Sequence, residues 1–283
     1  MDGGVTEKRT IRVFPRRTSL TPTDAMAFAG KNAWPQLWLP SADEVHVSVT
    51  FTWDIARGHE LAEAWRQYYP VVKIGGPAIA AGYPAEFVPG RYVKHGVTFT
   101  SRGCNRRCPW CLVPEREGRL QPIENFAPGW IVNDNNFLMC SPRHRQRVYE
   151  MLKHQPRAAT FAGGLDCRLI TDIVSDDLCS LRIKEVFLAA DTVASLKTLA
   201  RAARLLSSLR KWQRRCYVLI AFGGETPTEA AERLEEVWRL GCAPFAQLYQ
   251  PPEERIAYSS EWKALARKWS RPAAMAAVHG GWG

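Results

Sequence analysis

Between residues 97 and 251, short β-branched and aromatic runs alternate with stretches in which apolar residues recur at helical spacing. The runs at 97–100, 130–133, 159–162, 185–189, 217–221 and 244–249 predict six strands. Helices between them make successive βα units, and therefore a parallel sheet. The helix ends carry their own signals. Ser141-Pro142 and Thr226-Pro227 each offer a side-chain oxygen at the N-cap and a proline at the first helical position. Glu229 completes a capping box with Thr226, and Gly241 stops the helix that follows. Over 192–215 the apolar residues Val193, Leu196, Leu199, Ala200, Ala203, Leu206 and Leu209 share one helical face, which leaves the basic residues to the others.

Upstream the pattern predicts a strand at 44–51, a helix at 60–69 and a strand at 71–74 that ends in Gly75-Gly76-Pro77, together one βαβ unit. The Gly- and Pro-rich stretch 78–91 is expected as a linker or extended loop. Past residue 252 the sequence predicts one helix at 259–269 and a Gly/Trp tail. There is no internal repeat and no low-complexity tract. The organisation expected is an N-terminal α/β segment (1–96), a six-strand α/β domain (97–251) and a C-terminal helix with its tail (252–283).

Composition narrows the class. With 46% hydrophobic residues, 11 Trp and 11 Phe in 283 residues, the chain can bury a sizeable core, which excludes wholesale disorder. No apolar run reaches the ~18 residues that a membrane span needs. Met1-Asp2-Gly3-Gly4 is followed by charges at Glu7, Lys8 and Arg9 without an apolar core, so the expectation is a cytoplasmic protein with no membrane partner. In that setting the eight cysteines are expected as thiols rather than as a disulfide framework.

The net charge of +10 is concentrated in residues 181–283, where 16 Lys/Arg stand against 10 Asp/Glu. Lys197, Arg201, Arg204, Arg210, Lys211, Arg214 and Arg215 come with no acid between Asp191 and Glu225. Such a stretch attracts an anionic partner or nucleic acid. It is equally what a solvated outer helix face looks like.

Cys104, Cys108 and Cys111 lie within eight residues, in the run Ser101-Arg102-Gly103-Cys104-Asn105-Arg106-Arg107-Cys108-Pro109-Trp110-Cys111, directly after the first of the six strands. Three thiolates on one tight loop can bind three corners of an iron–sulfur cube and leave the fourth iron open to a small molecule. Arg106 and Arg107 suit an anionic cluster. A structural zinc is the alternative, the centre of a zinc-stabilised nucleic-acid binder without catalysis. It needs a fourth protein ligand and usually a second knuckle. None follows in sequence, although His95 could be recruited.

This CxxxCxxC loop, with an aromatic residue before its last cysteine and at the end of the first of six βα units, resembles the signature of the radical S-adenosylmethionine superfamily. The resemblance covers somewhat over half the chain. It implies an α/β fold, a (βα)6 partial TIM barrel of the radical SAM type with a small N-terminal α/β element. It further implies that Cys104, Cys108 and Cys111 hold a [4Fe–4S] cluster, that the open iron binds S-adenosylmethionine, and that Trp110 lies near adenine. A one-electron donor such as flavodoxin or ferredoxin would feed the cluster, and a 5′-deoxyadenosyl radical would abstract hydrogen from a substrate left open, with nucleotides and nucleic acid as candidates.

The other strand ends are then candidate pocket residues, because ligands sit at the carboxyl ends of parallel strands. Asp134, Asn135 and Asn136 stand where the family keeps the motif that receives the methionyl amino group, in an Asp/Asn-rich form instead of the common GGE; a plain Asn-rich turn is the other reading. Arg168 is the candidate for the methionyl carboxylate, since its fork matches both oxygens, and Asp166 beside it offers a carboxylate; a structural Asp166–Arg168 ion pair is the rival. Asp191 resembles the acid that meets the ribose hydroxyls, or else caps a helix. Gly223, Gly224 and Glu225 resemble the strand end beside adenine, where glycine lets the backbone approach a flat ring. Gln247 and Tyr249 are possible lining residues on the sixth strand.

The segment from Val45 to Ile79 is similar to a shortened form of the Rossmann-like module that precedes the radical domain in cobalamin-dependent members. It lacks the DxHxxG cobalt-binding pattern, so it is expected to cap the barrel or shape the pocket. A second three-cysteine cluster is not expected, because residues 1–103 contain no cysteine.

Overall fold

The computed structural model describes residues 8–30, 39–79, 90–253 and 255–281. The chain divides into two compact units. The first comprises 1–95 with the short pieces 115–117 and 252–254, and the second takes the rest.

In the first unit, β1 (Thr10–Phe14), β2 (Ala27–Ala29), β3 (Glu44–Ser48) and β4 (Val72–Gly75) form one parallel sheet in the order β2-β1-β3-β4. The helix α1 (Ile55–Arg66) joins β3 to β4. The single βαβ unit expected here is thus half of a four-stranded sheet. One face is apolar: Ile11, Val13, Val45 and Val47 pack with Leu61, Ala62 and Trp65 of α1. The opposite face buries polar groups. His46 pairs in register with Arg12 and Lys73 on its two neighbours. Its Nδ1 lies 2.7 Å from the Tyr92 hydroxyl, while Lys73 Nζ lies 3.0 Å from Glu44. Most of the expected linker at 78–91 falls outside the described residues.

The second unit holds the six expected strands. After β5 (Val97–Thr98) come a two-residue β6 (Ser101–Arg102), the short helix α2 (Val113–Arg116) and β7 (Gln121–Pro122), which pairs antiparallel with β6. Then follow β8 (Ile131–Val132), α3 (Pro142–Lys153), β9 (Ala159–Phe161), α4 (Asp172–Cys179), β10 (Ile183–Ala189), α5 (Ser195–Leu205), β11 (Arg214–Ile220), α6 (Pro227–Arg239) and β12 (Ala243–Leu248). The strands β12-β11-β10-β9-β8-β5 lie side by side in sequence order, all parallel. Each expected strand is present, with ends displaced by at most three residues. The α/β class with parallel sheets follows directly.

The helix ends form as the sequence implies. Ser141 accepts from the His144 N–H at the start of α3, and Thr226 and Glu229 make a reciprocal capping box at α6. The helix expected over 192–215 is shorter: α5 ends at Leu205, and Ser207-Ser208 turn the chain back toward β11. Apolar residues of one sheet face, among them Val186, Leu188, Cys216, Val218 and Ile220, pack with Leu199, Ala203, Leu234 and Val237 of the helices. At the C-terminus α7 (Ser260–Ser270), capped by Ser259, and α8 (Pro272–His279) join the same core through Trp269 and Met275, so this region is not a separate appendage. No helix among the described residues is long and apolar enough to cross a membrane.

Candidate functional site

Because the six strands run parallel, the segments that follow them emerge at one edge of the sheet. The cysteine loop is the first of these. Gly103 leads into it with φ +76°, and a Cβ there would come within 2.2 Å of the Arg119 carbonyl oxygen, so this position requires glycine. The Cys104 N–H bonds Gly118 O, and Asn105 Oδ1 accepts from the Leu120 N–H. The loop is pinned on both sides.

Cys104 is buried, and Cys108 and Cys111 are half-buried. The Cys104 sulfur accepts from the Arg106 backbone N–H at 3.4 Å and from the Asn136 side-chain amide at 3.6 Å. The Val113 N–H donates to Cys111. Burial pushes the Cys108 and Cys111 thiols up from their ordinary value; the negative charge of Asp191 and of the neighbouring cysteines adds to this, and Arg168 opposes it at Cys108. Among the described residues, no three His, Cys, Asp or Glu side chains form a group already set to hold a metal ion. The donor chemistry nonetheless fits an iron–sulfur cluster: three thiols on one loop, with N–H groups already directed at two of the sulfurs, the kind of bonding that tunes such clusters.

Four further strand-end segments meet this loop. From the segment after β8, Asn135 Oδ1 accepts the Gly103 N–H at 3.2 Å, alongside the Asn136 contact to Cys104. From the segment after β9, Asp166 accepts from Arg106 Nε at 2.9 Å. From the segment after β10, Asp191 lies close enough to the Trp110 indole for the ring N–H to oppose the rise in its pKa. From the segment after β11, Phe222 meets the Trp110 ring edge-on at 5.5 Å, and Tyr249 after β12 meets Phe222 edge-on at 4.8 Å. Residues far apart in sequence thus meet on the loop that carries the three cysteines.

The individual candidates take different positions. Asp134 is almost wholly buried and accepts from the Thr100 N–H at 2.7 Å, the Thr100 hydroxyl and the Ser101 hydroxyl. Burial raises its pKa, and these bonds oppose the shift. It ties the root of the cysteine loop to the end of β8 and is not turned outward to a ligand. Asn136 leaves its Oδ1 without a partner although the residue is only 6% exposed.

Arg168 gives Nε and Nη2 to Asp166 at 2.7 and 3.0 Å, so the ion pair that rivalled a ligand role is formed here. Burial works to raise the Asp166 pKa, but Arg168 and Arg106 outweigh it and hold the carboxyl low. Asp191 does not cap α5, whose N-cap is Ala194; its Oδ1 accepts the Leu219 N–H at 3.0 Å. Burial raises the Asp191 pKa, with Leu219, Arg233 and Trp110 opposing.

Gly223 and Gly224 have φ +68° and +83°, which glycine adopts without strain, and an added Cβ at either would meet nothing within 4 Å. The glycines therefore serve the turn and leave open space beside it. Glu225 accepts from the Ala221 N–H and pairs with the buried Arg233, which also donates to Ala190 O and Leu219 O. Glu225 braces two strand ends. The roles of Arg106, Thr100, Ser101 and Phe222 had no signal in the sequence, since each depends on a partner in another strand-end segment.

The basic stretch is largely engaged within the fold. Arg201 donates to Cys167 O and Arg168 O, Arg214 donates to Ala203 O, and Lys211 stands 4.3 Å over the Trp238 ring. Arg215 is buried. Lys197, Arg201, Arg204 and Arg210 are exposed. No model of a known protein family matches the chain, and no curated protein matches it either.

Proposed function

We propose that this protein is a radical S-adenosylmethionine enzyme, with a (βα)6 partial barrel as its catalytic domain. The observation that carries the reading is the convergence of Asn136, Asp166, Asp191 and Phe222, from four successive strand-end segments, on the Cys104–Cys108–Cys111 loop. The strand order supports the barrel. With no reversal of order and right-handed crossovers, every connecting helix falls on one face of the sheet. The other face is left to curl around a ligand.

Cys104, Cys108 and Cys111 would hold a [4Fe–4S] cluster. When bound and reduced by a donor such as flavodoxin or ferredoxin, such a cluster supplies the electron that cleaves S-adenosylmethionine to a 5′-deoxyadenosyl radical for hydrogen abstraction. The chain's own part is binding and orientation. Arg168, held by Asp166 through Nε and Nη2, offers Nη1 to the methionyl carboxylate. Trp110 and Phe222 supply apolar ring surface for adenine beside the open turn at Gly223 and Gly224. Asp191 stands beside the Trp110 indole, and Asp134 and Glu225 fix the framework behind the ligands.

Anaerobic reconstitution tests this. About four irons per chain are expected from the three-thiolate cube, together with release of 5′-deoxyadenosine after reduction. Cys104→Ala removes both. Stoichiometric zinc in place of iron, with salt-sensitive binding of nucleic acid, would overturn the proposal in favour of a zinc-stabilised binding protein.

A further inference from the structure

The sheet face turned away from the helices carries Glu185 and Phe187 on β10, Arg215 and Tyr217 on β11, and Phe245 on β12. Phe187 pairs in register with Arg215, and Tyr217 with Phe245. Side chains two apart on a strand share a face, so these residues form one patch. The rings stack closely: Phe187 lies 4.6 Å from Tyr217 at 24°, and Phe245 stands edge-on to Tyr217 at 5.7 Å. Tyr217 is held by its hydroxyl, which donates to Ala162 O at 2.8 Å.

Arg215 is set between two of these rings. Its guanidinium carbon is 5.5 Å from the centroid of Phe187 and 5.5 Å from that of Phe245. Only 8% of the residue is exposed. Cation–π contacts occupy the faces of the guanidinium plane, whereas its N–H donors lie in the plane and require acceptors. Nε is sealed from solvent without a partner, whereas Nη1 and Nη2, which bond no described residue, are not sealed with it. The charge of Glu185 is felt, but Glu185 makes no ion pair with Arg215. A buried guanidinium with unused donors is costly to maintain in a core. The flanking rings are only half-buried and Gln247 on the same face is exposed, so this surface is not closed over by the fold.

We infer that Arg215, Phe187, Tyr217 and Phe245 form a binding site for a small molecule that carries a planar ring and an oxyanion, the ring lying against the aromatic side chains and the carboxylate or phosphate oxygens bonding Arg215. Arg215 lies five residues before the carboxyl end of β11 at Ile220, roughly 16 Å along the strand. A ligand anchored there extends past Tyr217 and Leu219 toward the edge that bears the cysteine loop. That this ligand is the molecule from which hydrogen is taken rests on the function proposed above; the binding site itself does not.

The test is calorimetric titration of the full-length protein, without added metal, using two pairs of probes: guanosine monophosphate against guanosine, and indole-3-carboxylate against indole. At least one anion is expected to bind about tenfold or more tightly than its neutral partner. The pair that shows the preference distinguishes a phosphate from a carboxylate ligand. Arg215→Met should erase the preference, and Arg215→Lys should keep part of it. Thermal unfolding provides a second readout. Since no acceptor loses its donor, Arg215→Met should raise the midpoint of the ligand-free chain, whereas a lowered midpoint would make Arg215 a structural residue and overturn the inference. So would equal binding of charged and neutral probes, or a preference that survives in Arg215→Met. If the anion binds as expected but no 5′-deoxyadenosine forms in reconstituted protein, the catalytic proposal fails while this site stands.

Discussion

The Asn136 side-chain amide donates to the sulfur of Cys104 across 3.6 Å, joining the second strand-end segment to the first. Partners that orient a metal ligand typically contribute 10- to 100-fold in metal affinity or activity. Asn136→Ala is therefore expected to lose iron to a chelator about ten times faster or more after reconstitution. Its far-ultraviolet circular dichroism should match that of the parent. Unchanged iron retention would show that the contact is incidental.

Asp134 holds three donors from Thr100 and Ser101 at the root of the cysteine loop. Asp134→Ala leaves a buried N–H and two hydroxyls without their acceptor, at about 1–3 kcal/mol each in the worst case. Water entering the gap would recover part of this. A loss of about 3 kcal/mol in urea unfolding is expected, with the cysteine loop the first region to gain amide exchange.

Glu225 and the buried Arg233 make the second internal brace. Removing the carboxylate alone, in Glu225→Ala, strands a charged guanidinium and should cost about 3–5 kcal/mol. The double variant Glu225→Leu with Arg233→Met removes both charges and should recover part of that loss, the remainder being the cost of leaving Ala190 O, Leu219 O and the Ala221 N–H without their partners. Denaturant midpoints of the three proteins decide the matter. An additive result would mean that the two groups are not coupled.

Acid should loosen the first unit in two stages. Burial pulls the His46 pKa below its ordinary 6.5, with Lys73 reinforcing this and Glu44 opposing it. The folded state therefore resists protonation, and its stability is full above 6.5 and falls as pH drops from there toward the depressed folded value. For Glu44, burial pushes the pKa up, but the Lys73 hydrogen bond and the charges of His46, Lys73 and Lys8 outweigh it. The stability that Glu44 contributes is present above 4.5 and is lost as pH falls through its lower folded value. Hydrogen exchange in β3 should rise below about pH 6.5, and His46→Gln should remove that first stage and start the second at higher pH, because Glu44 loses one of the charges that hold it low.

Much of the second unit was legible along the chain. The six strands, the Ser141 and Thr226 caps and the cysteine cluster are local features, fixed by side-chain period and by contacts over three or four residues. In the first unit, Thr10–Phe14 is only five residues long and its partner Ala27–Ala29 three, too short for alternation to stand out, so the pattern along the chain yields one βαβ unit where the fold has four strands.

The long-range side-chain pairings were not legible. Asp166 meets Arg106 sixty residues away, and Asp134 meets Thr100 thirty-four residues away. The seven basic residues after Asp191 read as one surface, yet Arg201 and Arg214 turn to backbone carbonyls and Arg215 enters the aromatic face. Short-range order along a chain follows from steric period and capping, which the local residues carry themselves. Which carboxylate meets which guanidinium depends on strand register and on loop ends that come together only when the sheet has formed, because an ion pair or a buried hydrogen bond is governed by distance in space.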